Sequence, residues 1–525
     1  MSFKKPNLDV YLAEVFKQFV AIKDDDFRRA QEVFKSVFEQ VKQKMGEQCN
    51  FFNKYSSQVM YSGSVYDGVK VSKLDEFDMD IVIRLPISYE EGENGIIIEN
   101  DQPGFVRLKI INAFDHMDKQ PDWEKCHKVT REWRDSEKYF LQNKFRHWLH
   151  GIVQKALNEM QERATVNGVT YLVKYKESGP AFTLNIRNEK GDEEFKLDVD
   201  LVPVIRFMYP RWPPGCRTIQ GSQVKYWLVV PKPIKGISDE TVKNRCWRLS
   251  FQDYEREMLK ECQHLKTTIR LIKKLREALG MKEIASYYIK TLFLWKIERV
   301  NDKKYWQSKL SVIFRAMVED FYNAIKTKNI PFFWNKKNNL IGNLKPTHQK
   351  VYLDKLKAVL DSIDANDVNK TVVALLTDVE MEQFKCSEFY LRQLALTNIQ
   401  LPVLKNESIC SSSSSSQEFR TNSQTSSQEE QHTALLKDLM EKINLLTQKV
   451  EYQEERIIKL EAIVACKEST NSNPLDFTVK ELKLYDEAGD RSTDNSNVMD
   501  IMLNNENSCN SNSFPDIDNS VYCDL

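Results

Sequence analysis

Gly63 and Ser64, followed twelve residues later by Glu76-Phe77-Asp78, are the residues of this chain whose types and spacing could do chemistry. Glycine lets a backbone come close to a phosphate, and the serine hydroxyl adds a donor. In a strand, residues i and i+2 share a face, so Glu76 and Asp78 can aim at one ion pair. Hard carboxylate oxygens suit Mg²⁺ or Mn²⁺ rather than zinc. The apolar run Ile81-Val82-Ile83 that follows gives such a strand a buried continuation. The ordering fits a site that holds a nucleoside triphosphate against divalent metal.

A third carboxylate would complete a two-metal cluster. Residues 193–207 alternate: Phe195, Leu197, Val199 and Leu201 face one way, and Lys196, Asp198 and Asp200 the other. Spacing leaves Asp198 and Asp200 as equal choices, and Asp80 competes because it shares a face with Glu76 and Asp78. The wet side of a sheet would produce the same pattern.

The elements that must position these residues are readable from periodicity. Phe27, Ala30, Phe34, Val37, Phe38, Val41 and Met45 recur at helical spacing, which predicts a long helix over 26–45. A strand is expected over 81–85, stopped by Pro86, and mixed loop and strand over 87–125. A second long helix is expected over 138–160, then strands over 169–175, 181–186 and 195–204. The character shifts after Trp212-Pro213-Pro214-Gly215 and is mostly helical from Asp253 to about Leu396. The fold class is therefore α/β, with a core over 1–215 and a mainly helical part over 216–404.

Beyond it, 405–433 reads as a serine-rich linker. Leu436, Leu439, Ile443, Leu446, Val450, Gln453, Ile457, Leu460 and Val464 step by threes and fours, which predicts a short coiled coil over 434–465 and a possible homo-oligomer. A single amphipathic helix docked on the body is the rival. Residues 466–525 are polar and acidic and read as a disordered tail.

With 525 residues and 41% hydrophobic content, the chain can bury more than one domain's core. Its formal charge is zero, but 466–525 holds four basic and twelve acidic residues, leaving the rest at about +8. That excess is compatible with a nucleic-acid partner and equally with solvated surface. The start, MSFKKPNLDVYLAEV, lacks the apolar core of a leader, and no run of about eighteen apolar residues suggests a membrane span. Ten scattered cysteines suggest reduced thiols and a cytoplasmic location.

Four ordered anchors resemble cyclic GMP–AMP synthase and the animal cGAS-like receptors of the nucleotidyltransferase superfamily: GSVYDGVKVSKLDEFD from Gly63, VDLVP from Val199, WRLSF from Trp247 with Glu255 beyond it, and ASYYIKT from Ala285. The resemblance runs from about Asp24 to about Leu340. It implies a bilobal nucleotidyltransferase, a mixed sheet with long flanking helices, closed by a helical C-lobe. It places the metal acids at Glu76, Asp78 and Asp200, the triphosphate serine at Ser64 and the close backbone approach at Gly63. Arg248 matches a base-contacting arginine, and Ser250 and Glu255 fall in the nucleotide-contacting stretch. Lys273 matches a lysine near the donor triphosphate, with Lys274 as its competitor. Ser286 and Lys290 match phosphate-proximal positions, and Tyr287 an aromatic that stacks on a base. The bland readings are a structural cation–π pair of Arg248 with Trp247, packed tyrosines and a solvated Lys273.

The resemblance further implies ATP and GTP as substrates, Mg²⁺ or Mn²⁺ as cofactor, and a cyclic dinucleotide that acts on a STING-type receptor in innate antiviral signalling. The vertebrate DNA sensor carries a zinc cluster of one His and three Cys after WRLSF. Here that interval holds only Cys262 and His264, too few for a four-ligand site, so no zinc is expected. Double-stranded RNA is then favoured over DNA as activator, read by shape and phosphate contacts. Lys35, Lys42, Lys44, Lys144, Arg146 and Lys155 are the basic candidates. A non-catalytic scaffold or developmental protein of the same fold is the alternative.

Overall fold

The computed structural model describes residues 7–398 apart from 101, 179–180, 191–194, 235 and 261–263. The chain divides into two compact units, Met1–Ile399 and Gln400–Leu525, and the description concerns the first. The expected linker, coiled coil and acidic tail lie outside the described residues.

The first unit is α/β, as expected. Its sheet has ten strands: β1 (Ser56–Ser62), β2 (Glu76–Ile83), β3 (Ile97–Asn100), β4 (Phe105–Lys109), β5 (Arg163–Val166), β6 (Val169–Ser178), β7 (Ala181–Asn188), β8 (Lys196–Met208), β9 (Tyr226–Val230) and β10 (Cys246–Ser250). The main path runs β3-β4-β10-β9-β8-β7-β6-β5, and β2 pairs with both β1 and β8. All pairings are antiparallel except β2 with β8, which makes the sheet mixed. β8 is the hub. Its first half pairs with β2 and β7, and its second half pairs with β9.

The alternation in 193–207 does what its pattern dictates. Leu197, Val199 and Leu201 are fully buried, and Asp198 and Asp200 line the opposite, half-buried face. β2 matches it, with Phe77, Met79, Ile81 and Ile83 buried. The helix Asp24–Gln48 lays its apolar stripe on this core. All seven residues of the expected stripe are buried, and Phe34 stacks on Phe77 with ring centroids 4.9 Å apart. The second long helix, Gln142–Glu159, runs beside it, joined by the Lys44–Glu159 ion pair at 2.7 Å.

Two boundaries differ from expectation. The strand expected over 81–85 starts at Glu76 and ends at Ile83, so it carries both carboxylates from its first turn of pleat. The sheet also continues past Gly215, because β9 and β10 join β8 to β4. Their sequences hide this. Trp227, Leu228 and Val229 are all buried, so β9 is apolar on both faces and shows no alternation.

From Gln252 onward the described residues are mainly helical: Gln252–Met258, Leu265–Ala278, Ser286–Val300, Leu310–Lys326, Pro346–Asp364, Val368–Leu375, Asp378–Lys385 and Glu388–Asn398, with one small hairpin, Pro331–Phe332 with Asn335–Asn339. Leu265–Ala278 packs against Ser286–Val300, Leu310–Lys326 and Val368–Leu375, and buries Leu265, Ile269, Ile272 and Leu275. No helix among the described residues is long and apolar enough to cross a membrane.

Candidate active site

The parallel pairing of β2 with β8 builds the centre. Glu76 lies opposite Asp198, and Asp78 opposite Asp200, in backbone register. One carboxylate oxygen from each of Glu76, Asp78 and Asp200 falls within 4.8 Å of the others. The competitors have other surroundings. Asp198 accepts a 2.5 Å bond from Asn185 Nδ2. Asp80 is 5% exposed, enclosed beneath the cluster, with Ser62 and Gln252 favouring its ionised form.

Crowding of like charges shows in the protonation of the group. Asp78 is pushed up to about 6, first by burial and then by Glu76 and Asp200. Asp200 is raised by burial, with Glu76 and Asp198 adding to it and the 2.5 Å bond from Thr183 Oγ1 opposing it. Asp80 is pushed up to about 7 by burial and by Asp78. Lys70, in the motif's Val-Lys, sits 3.3 Å from Glu76 and 3.0 Å from Asp75. Three hard oxygen donors that repel one another where they stand form a donor set suited to a divalent cation. The residues present fit such an ion.

The Gly63–Tyr66 turn abuts this cluster, since Ser62 at the end of β1 pairs with Asp78. Gly63 adopts φ +76°, and a Cβ there would collide with the Asp78 carboxylate. No other residue fits, because any side chain would be strained and would displace the acid. Ser64, half-buried, follows directly. Gly63, Ser64, Glu76, Asp78 and Asp200 are thus brought together.

A second group gathers on the helical side. Arg248 and Ser250, on one face of β10, are half-buried. The Arg248 guanidinium lies 5.6 Å from the Tyr287 ring centroid, so its aromatic partner is Tyr287 rather than Trp247. Tyr287 donates its hydroxyl to Glu255 Oε1 at 2.8 Å. Glu255 also takes Trp334 Nε1 at 2.8 Å and the Lys290 ammonium at 2.9 Å. Ser286 opens the helix Ser286–Val300 and is half-buried.

Three of the expected nucleotide contacts face protein partners. Glu255, Lys273 and Lys290 are 4%, 4% and 7% exposed. Lys273 donates to the Val69 carbonyl at 2.6 Å, and burial lowers it to about 8. Lys274, its competitor, pairs with Glu380 on another helix. Of the pair behind the zinc-free expectation, Cys262 lies outside the described residues. Sequence reasoning missed Asp67, Arg256 and Thr183. Asp67 lay within the quoted motif, but nothing local marks a charged residue as buried.

The chain matches the Mab-21 protein nucleotidyltransferase domain over residues 65–261 and the Mab-21 protein HhH/H2TH-like domain over 264–358. A mixed sheet presenting three clustered acids beside a Gly-Ser turn, followed by a helical domain, is accordingly the architecture of a nucleotidyltransferase. A cyclic GMP-AMP synthase-like receptor of Aethina tumida is 33% identical over 381 residues, 71% of this chain and 92% of that one. One of Ctenocephalides felis is 34% identical over 394 residues, covering 72% and 89%. One of Tribolium castaneum is 32% identical over 374 residues, covering 68% and 89%. The chain belongs to the family of cyclic GMP–AMP synthase-like receptors.

Proposed function

We propose that this nucleotidyltransferase joins ATP and GTP into a cyclic dinucleotide of the cyclic GMP–AMP type, and that double-stranded RNA activates it. The observation that carries the reading is the register of Asp78 with Asp200, which gathers three carboxylates beside the Gly63–Ser64 turn. Glu76, Asp78 and Asp200 would hold Mg²⁺ or Mn²⁺, which supplies charge neutralisation for phosphates and acidifies a bound hydroxyl. Asp200, oriented by Thr183, receives the ribose hydroxyl proton as that oxygen attacks an α-phosphate and pyrophosphate departs. A second transfer of the same kind closes the ring. Ser64 donates to the triphosphate, and the Gly63 backbone allows its close approach. Arg248, Ser250, Ser286 and Tyr287 present a polar and aromatic wall to the bases. Lys273, Lys290 and Glu255 support that wall from their buried positions.

The RNA reading rests on Lys35, Lys42, Lys144 and Lys155, all exposed on the two long packed helices. Lys44 is committed to Glu47 and Glu159, and Arg146 is half-buried, so both contribute less. The product would act on a STING-type receptor, the protein would be cytoplasmic and zinc-free, and self-association would run through 434–465. The non-catalytic alternative is disfavoured by the complete acidic trio.

The test is incubation of the full chain with all four NTPs, Mg²⁺ or Mn²⁺, and duplex RNA or duplex DNA. A phosphatase-resistant product that requires RNA and disappears in Asp78→Asn is expected. Stimulation by DNA alone would overturn the RNA reading. Ladders of extended RNA would replace a cyclase with a polymerising transferase. Absence of product under every condition, with Asp78→Asn indistinguishable from wild type, would remove the synthetic reading.

A further inference from the structure

The segment between Ser64 and Glu76 is gripped from behind by basic side chains of the helical part. Lys273 donates to the Val69 carbonyl at 2.6 Å, and Arg270 donates to the Lys70 carbonyl at 2.8 Å. The tightest anchor is Asp67, which is 5% exposed. Its backbone N–H closes the Gly63–Tyr66 turn onto the Gly63 carbonyl at 3.3 Å. One oxygen of its carboxylate meets the Lys290 ammonium at 2.5 Å, and the other meets Arg256 Nε at 3.4 Å. Those two cations stand on different helices, Ser286–Val300 and Gln252–Met258.

Arg256 grips both flanks of the turn. Besides Asp67 it donates Nη2 to the Tyr61 carbonyl, two residues before Gly63, at 2.9 Å, and it pairs with Asp253 at 2.6 Å. Lys290 in turn reaches Glu255 at 2.9 Å, and Glu255 holds Tyr287 and Trp334. Burial alone would lower the Lys290 ammonium, but Asp67 and Glu255 reverse that and raise it, so the cation stays charged. A chain of ion pairs therefore runs from the base-facing wall to the back of the Gly-Ser turn. Buried pairs of this kind contribute little net stability, and what they do supply is one defined geometry.

We propose that Asp67 is a positioning residue of the transferase site, acting through Lys290 and Arg256 to hold the Gly63–Ser64 turn against the carboxylate trio. This rests on the role given to that turn under the proposed function. Gly63 has no slack, because its backbone already abuts the Asp78 carboxylate. A shift of the turn would move Ser64 and Asp78 together, and a displacement of about 1 Å suffices to cost on the order of a hundredfold in rate.

The experiment uses full-length Asp67→Asn, Lys290→Gln and Lys290→Arg, with hydrogen exchange of 61–69 and steady-state kinetics. In Asp67→Asn and Lys290→Gln, amides of 61–69 are expected to exchange about tenfold faster while those of β8 stay at the wild-type rate. kcat is expected to fall by about tenfold or more, with nucleotide KM changed by less than about threefold. Lys290→Arg keeps both ion pairs and is expected to hold kcat within about threefold of wild type. The double variant Asp67→Asn/Lys290→Gln should lose less than the product of the two single losses, because the two side chains share one ion pair, and a full product would count against the proposal.

Unchanged exchange over 61–69, an equal rise over β8, an unchanged kcat, or equal losses in Lys290→Arg and Lys290→Gln would each overturn the proposal. If Asp67→Asn does not fold, Lys290→Gln carries the same test, since it leaves Asp67 paired with Arg256. A wild-type protein without synthetic activity would count against the proposed function, and the exchange arm would still decide whether Asp67 holds the turn.

Discussion

Replacing Asp78 by asparagine is expected to stabilise the metal-free protein while it abolishes synthesis. In the folded chain burial, Glu76 and Asp200 push the Asp78 carboxyl from 3.8 up to about 6. A gap of about two pH units, at about 1.4 kcal/mol each, makes an ionised Asp78 a cost of about 3 kcal/mol at pH 8. The sign follows from proton uptake. Between pH 4 and pH 6, roughly, the folded state holds a proton that the unfolded chain has released, so stability falls as pH rises through that window. The stability is fully present below the unfolded value and is lost above about 6. Asparagine keeps the shape and removes the charge.

In EDTA at pH 8 the variant should gain up to about 3 kcal/mol, read as a Tm increase of a few degrees. At pH 5, inside that window, the gain should shrink to about half, and it should approach zero only at about pH 3.5. Asp80, raised to about 7, keeps part of the same pH slope, although losing the Asp78 charge should lower Asp80 as well. Mg²⁺ or Mn²⁺ should stabilise wild type at pH 8 and leave the variant unmoved. Urea or thermal unfolding of both proteins at pH 5 and pH 8, with EDTA and with metal, measures all of this. An Asp78→Asn protein less stable than wild type at pH 8 in EDTA, or one with the wild-type pH slope, would refute the reasoning.

Gly63→Ala is expected to cost about 1–2 kcal/mol for its left-handed backbone alone. Because its Cβ collides with Asp78, synthesis should fall by about a hundredfold or more, far beyond the change in Tm. Wild-type rates in this variant would show that the turn does not touch the working site. The pair Lys42→Glu/Lys155→Glu is expected to weaken duplex-RNA binding and to reduce the slope of log K against log salt by about 2, measured by fluorescence anisotropy across a salt series. An unchanged slope would move the RNA face elsewhere.

Much of this architecture was legible in the residues, and the exceptions share a cause. The helix Asp24–Gln48 was readable because seven apolar residues at helical spacing leave only one face to bury. β8 was readable because its alternation is strict over one half-buried face. β9 was not, because a short apolar run buried on both faces has no period, and β10 offers only five residues in which to show its alternation. Asp67 carried no signal, and the resemblance read Lys273 and Lys290 as nucleotide contacts and not as buried groups, since burial of a charged side chain is decided by partners from distant segments.

The sequence by itself determined the donor chemistry: Gly63, Ser64, a Glu-x-Asp pair just before an expected strand, and a distant Asp-x-Asp pair on a segment whose period declared it a strand. It left Asp198, Asp200 and Asp80 open, because residues two apart on a strand share a face. The family resemblance favoured Asp200, and the tertiary structure shows where each acid stands. Parallel pairing set Asp78 beside Asp200, Asn185 engaged Asp198, and the core enclosed Asp80. Register between strands more than a hundred residues apart is set by the whole core that forces them together, and no local pattern encodes it.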